Sequence, residues 1–156
     1  MTTADEAFVL QPGEGRSIDL GPFSMSVKAT AEATGDAFAL LEADEPADFG
    51  PPMHIHHDAA EAFYVLRGEY LIFIREQEWR CSAGSFIYIP AGVIHGFRVG
   101  DAPSSKLNIY VPAAMVGYFD ELSEALKSGE DDPRRVERIA HRYDMEVVGP
   151  VLETYL

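Results

Sequence analysis

Residues Pro51–Tyr70 read PPMHIHHDAAEAFYVLRGEY. His54, His56 and His57 fall within four residues, Glu61 follows, and an aromatic and aliphatic run comes next. In a strand, side chains two apart share a face. His54 and His56 then point together and His57 points away. A turn through Asp58-Ala59-Ala60 returns Glu61 to the same side at the start of the next strand. A helix opened by Pro51-Pro52 is the competing reading, with His54, His57 or Asp58, and Glu61 on one face. The β-like segment Phe63–Leu66 and the turn at Gly68 weigh against it, because a helix would have to stop within a residue or two of Glu61.

A second stretch, GSFIYIPAGVIHGFRV, supplies a third imidazole. Gly84 opens a strand, Pro90-Ala91-Gly92 makes a turn, and His95 sits on the returning strand with Val93 and Phe97 on its face. Three imidazoles and one carboxylate converge if both readings hold.

The surroundings are β-rich up to about Pro112. Alternating or β-branched runs occur at Phe23–Thr30, Ala37–Ala43, Glu61–Arg67, Tyr70–Arg75, Ser85–Ile89, Val93–Val99 and Lys106–Val111, separated by Gly, Pro and Asp turns. Many short strands at this spacing predict an all-β sandwich or barrel. Beyond Pro112 the period changes. Met115, Phe119, Leu122 and Leu126 recur at helical spacing, and Gly129 stops that helix. Asp132 is placed to cap a second helix with Pro133 at its first position and Val136, Ile139, Ala140 and Tyr143 as its stripe. The tail from Met145 reads equally as a strand or an extended segment. The expected organisation is a barrel over 1–112 and a helical C-terminal extension over 113–156, packed on the barrel as one structural domain.

With 156 residues, 47% of them hydrophobic, the chain suits a single domain that buries about two-thirds of its unfolded surface. A net charge of -14 disfavours nucleic acid and anionic membrane surfaces as partners but not metal cations. Cys81 is the only cysteine, which points to a reducing compartment, and no signal-peptide or membrane-span pattern is present. A cytoplasmic protein is expected.

These motifs resemble those of the cupin superfamily. The first cupin motif is matched by Gly50, His54, His56, Glu61 and Gly68, and the second by Gly84, Pro90, Gly92 and His95. Gly50 stands two residues nearer the histidines than usual, and Val99 occupies a position where the family often has Asn. The resemblance covers roughly residues 20–112. It implies a double-stranded β-helix, the jelly-roll barrel, with a short two-helix C-terminal extension. It also implies one divalent transition metal (Fe, Mn, Co, Ni or Cu, with Zn an option) held by His54, His56, Glu61 and His95.

The single barrel with two trailing helices is similar to small quercetin-dioxygenase-like cupins. That likeness implies a dioxygenase in which a small aromatic or enolisable substrate, such as a flavonol, gives a proton to Glu61 and reacts with O₂. The alternatives are a non-redox isomerase, cyclase or lyase, and a small-molecule-binding cupin without catalysis. Edge strands of a small open barrel give a motive for a homodimer. Phe63, Val65 and Phe97 share faces with the metal-binding positions and are expected either to line a substrate pocket or to be plain core. His57 and His141 are expected at the surface, Cys81 buried without a redox role, and Trp79 packed.

Overall fold

The computed structural model describes residues 4–149. Along the chain the elements are β1 (Arg16–Asp19), β2 (Ser24–Ala29), α1 (Ala31–Thr34), β3 (Ala39–Glu45), β4 (Met53–His56), β5 (Ala60–Arg67), β6 (Glu69–Ile74), β7 (Gln77–Ser82), β8 (Phe86–Ile89), β9 (His95–Val99), β10 (Ser104–Val111), α2 (Val116–Ser128), α3 (Pro133–Arg142) and β11 (Met145–Gly149). Two antiparallel sheets form. The first runs β1-β2-β3-β10-β5-β8 and the second β11-β4-β9-β6-β7. This is the all-β double-sheet barrel anticipated above, with three short helices, two of them near the C-terminus.

Strand alternation decides what goes inside. In β2, Met25, Val27 and Ala29 are buried, and in β3, Ala39, Leu41, Ala43 and Glu45. One apolar cluster joins Ile18, Leu20, Met25 and Leu41 to Tyr118, Ala125 and Ile139 of the helices. The other holds Phe63, Val65, Tyr70, Ile72, Ile87 and Phe97. A cap residue marks the start of α3 and the end of α2. Asp132 accepts from the Arg135 amide, and Gly129, at φ 73°, closes α2 in the left-handed region.

Three points differ from the sequence reading. Strands β1 and β7 carried no readable signal: β7, QEWRCS, is an edge strand exposed on nearly every residue, so no burial pattern selects its side chains. Trp79 lies on it 45% exposed rather than packed, and Cys81 is half-buried rather than buried. The tail resolves as a strand, since β11 pairs antiparallel with β4, Val147 opposite His54. The C-terminal piece is therefore helical only in part and lends a strand to the barrel. Its last residues, 150–156, lie outside the described ones.

The turn between β5 and β6 rests on Gly68, at φ 79°, where a Cβ would sit 2.0 Å from Ser104 Oγ. That hydroxyl accepts the Glu69 amide at 3.0 Å. A side chain at residue 68 would strain the backbone and break this bond together. Gly68→Ala is expected to cost about 2–3 kcal/mol in urea unfolding, with Gly84→Ala, which meets no atom within 4 Å, costing less.

Candidate metal centre

Four side chains meet inside the barrel. His54 and His56 leave the same face of β4. His95 is the cross-strand partner of His54 on β9. Glu61 arrives from β5 in the opposite sheet. The turn before His95 is pinned to β4 by the Gly92 amide, which donates to the His56 carbonyl at 2.8 Å. One ligand-type atom from each of the four lies within 4.8 Å of the others. All four residues are buried, His95 to 1% exposure and Glu61 to 3%.

Hydrogen bonds set the ring orientations. His54 Nδ1 lies 2.9 Å from the Pro52 carbonyl and His95 Nδ1 2.9 Å from the Val93 carbonyl, so each donates outward from Nδ1 and presents Nε2 inward. His95 Nε2 stands 2.7 Å from Glu61 Oε1. His56 Nε2 is 3.4 Å from the same oxygen but makes no hydrogen bond, leaving a buried nitrogen without a partner. A buried polar atom of this kind is costly unless something fills the gap. Three imidazoles and a carboxylate are a donor set that fits a divalent transition ion. The residues present therefore could hold a metal, with the orphaned nitrogen as the direct sign.

Charge follows burial. Burial, reinforced by neighbouring His95 and His56, pushes His54 down to about 3. For Glu61, burial alone favours the neutral acid, but His56 and His95 outweigh it and hold the carboxyl well below its usual range. Burial depresses His95, and the Glu61 carboxylate more than restores it, so its net shift is upward. Tyr110, opposite Glu61 in the strand register, is pushed well up by burial and by that carboxylate.

A cavity of about 480 Å³ opens beside the cluster, with His54, His56, Tyr110, Asn108 and Phe97 on its walls. Helices α2 and α3 roof it through Tyr118, Phe119, Leu122, Leu126 and Val136. Of the residues expected to line a pocket, Phe97 does. Phe63 and Val65, 1% and 0% exposed, belong to the apolar core instead, because the inward face of β5 beyond Glu61 packs against Tyr70 and Ile72. His57 points to solvent and pairs with Glu146 at 3.0 Å, and His141 is exposed. Sequence reasoning missed Glu45, Asn108, Tyr110 and the helical roof. Strand β10 hid Asn108 and Tyr110 by presenting Lys106, Asn108 and Tyr110 inward and Leu107 and Ile109 outward, the reverse of what hydrophobic alternation suggests.

Comparison with known proteins agrees with this geometry. Residues 40–110 match the Cupin domain family. Quercetin 2,3-dioxygenase of Bacillus subtilis (strain 168) is 25% identical over 117 residues, 75% of this chain and 35% of the relative. The chain thus spans about a third of that protein's length. Among solved structures, KdgF from a Halomonas species superposes with a TM-score of 0.62 at 15% identity, covering 69% of this chain and 94% of that one. The polyketide cyclase RemF from Streptomyces resistomycificus gives 0.59 at 18% identity, covering 68% and 80%. At these identities the structures speak for the fold.

The protonation pattern has a measurable result in metal-free protein. His54 takes up a proton in the unfolded chain near pH 6.5 but resists it when folded until about pH 3, so stability is lost as pH falls between these values. This group alone should remove about 2 kcal/mol between pH 7 and pH 5. Urea unfolding at both pH values should show a smaller loss for His54→Gln than for the parent protein. An equal loss would mean that His54 is not buried neutral.

Proposed function

The chain belongs to the cupin superfamily, and on that premise we propose that it is a metal-dependent enzyme acting on a small aromatic or enolisable molecule with O₂. The observation that carries this reading is the ring arrangement: two imidazoles anchored at Nδ1 to backbone carbonyls, a third with an unpartnered Nε2, and one carboxylate facing them. His54, His56, Glu61 and His95 would hold Fe, Mn, Co, Ni, Cu or Zn. Such an ion supplies Lewis acidity and, when redox-active, a route for electrons between substrate and O₂.

The protein's own groups do the rest. The largely apolar roof and Phe97 exclude water and favour a flat substrate. In this reading Glu61, kept ionised by its imidazole neighbours, accepts a substrate hydroxyl proton. Tyr110 faces that carboxylate and limits its reorientation. The likeness to quercetin 2,3-dioxygenase supports the oxidative reading, and the likeness to a polyketide cyclase supports a non-redox isomerase, cyclase or lyase as the second. Oxygen dependence separates them.

The test begins with protein stripped of metal and reloaded separately with Fe, Mn, Co, Ni or Cu. A flavonol or a catechol is then added in an oxygen-electrode cell. Uptake that requires metal and falls at least a hundredfold in Glu61→Gln is expected. Metal-replete protein that consumes no oxygen with any of these ions shifts the assignment to non-redox chemistry. In the same preparations His56→Ala should lose most of its metal and His57→Ala almost none. Equal losses would overturn the assigned ligand register.

A homodimer is also proposed, through the outer face of the first sheet. Cross-strand neighbours there form two rows, Leu40–Ile109–Ala62–Tyr88 and Glu42–Leu107–Tyr64–Phe86. Phe86 is 63% exposed and Tyr88 58%, an apolar face suited to a second copy. Sedimentation should give twice the chain mass, and Phe86→Glu with Tyr88→Glu should give the single chain. A monomeric parent protein at micromolar concentration would exclude this interface.

A further inference from the structure

A second polar group inside the barrel is not used by the metal centre. Glu45, at the end of β3, is 4% exposed and stands on the cavity wall. Its Oε1 accepts from the Tyr70 hydroxyl at 2.8 Å and from Lys106 Nζ at 3.0 Å. Lys106 is itself fully buried, with its ammonium 4.2 Å from the centre of the Phe97 ring and 4.8 Å from that of Phe63. Both bonds end on the same carboxylate oxygen. Oε2 has no hydrogen-bond partner among the described residues, and it is not among the polar atoms that are both buried and unpartnered. On a residue that lines the cavity, this leaves Oε2 open to whatever the cavity holds.

A structural crosslink alone does not require this arrangement. A buried ion pair is a poor source of stability compared with apolar packing of the same shape. Here it holds one carboxylate oxygen oriented and free at the wall of an otherwise largely apolar space. Burial and the neighbouring carboxylate push the Tyr70 phenol up, so it stays protonated and remains a donor to Glu45.

We propose that Glu45, held by Lys106 and Tyr70, is a ligand-anchoring carboxylate that accepts a hydrogen bond from a neutral hydroxyl or N–H group at the end of the substrate remote from the metal centre. This rests on the reading that the cavity takes a substrate. A neutral donor is favoured over a cation, because the Lys106 ammonium already neutralises the carboxylate and repels a second positive charge. The two polar ends are set by β10: Tyr110 faces Glu61 at one end, and Lys106 holds Glu45 four residues earlier, about 13 Å of strand away. The ligand class is a flat molecule with an oxygen donor at one end, a hydroxyl or N–H at the other, and a middle bounded by Phe97 and by Asn108, whose Oδ1 is buried without a partner.

Two fluorescent probes test this: 2,6-dihydroxynaphthalene and 6-methoxy-2-naphthol, which share one phenol and differ only in the second donor. Metal-loaded parent protein should bind the diol about tenfold more tightly. The preference should vanish in the triple variant Glu45→Leu, Lys106→Met, Tyr70→Phe, which removes the whole polar unit and leaves no unpaired buried charge. In Glu45→Gln, where Lys106 and Tyr70 retain the amide oxygen and an NH₂ faces the cavity, the preference should vanish as well, because the oxygen of either probe can accept from that NH₂. This variant stands in if the triple variant does not fold. No preference in the parent protein overturns the proposal, as does a preference that survives in either variant. Metal content is measured on the same samples, so failure of the metal centre registers separately from failure of the Glu45 anchor.

Discussion

A carboxylate cannot stand ionised and alone inside a barrel, and the fold is organised around that cost. Glu61 comes from one sheet and its imidazole partners from the other, so the bond from His95 at 2.7 Å crosses between the buried layers. Removing any one partner leaves a desolvated charge, which costs far more than the pair contributes. The second buried carboxylate follows the same rule. Glu45 and Lys106 belong to the first sheet and Tyr70 to the second. Both polar centres therefore tie one sheet to the other across the barrel.

Local features explain how the four residues meet. The period of two aligns His54 with His56, the antiparallel register sets His95 opposite His54, and the Gly92 amide fastens the intervening turn to β4. Each step uses short-range rules, which is why the cluster was legible from residue types and spacing. The seven strands with alternating or β-branched runs and both longer helices were legible for the same reason. What escaped was set by long-range packing. Strand β7 lies at an edge, where burial imposes no pattern. Strand β10 turns Lys106 and Tyr110 inward, where Glu45 of β3 and Glu61 of β5 face them, with Asn108 between, its Oδ1 buried without a partner. No local propensity encodes such partners. Phe63 and Val65 have the right parity for a pocket wall, but they lie deeper, where the two sheets pack against each other.

The cavity belongs to two different parts of the chain. Strands β4, β5 and β9 carry the metal-binding candidates, and α2 and α3 carry the roof. The roof helices bury Tyr118, Ala125, Ile139 and Ala140 against the barrel, so they are part of its core rather than an appended lid. Strand β11 then fastens the end of this segment to β4, beside His54 and His56.

That separation bears on how such a protein diversifies. The roof is one uninterrupted stretch anchored at both ends, by β10 before it and β11 after it. Exchanging Leu122, Leu126 or Val136 reshapes the space above the imidazoles without altering a strand that positions them. Selection can therefore explore new cargo shapes in one contiguous segment while the reactive groups stay where they are. A library confined to that segment varies the shape of the cavity while the strands that carry the four clustered side chains keep their sequence.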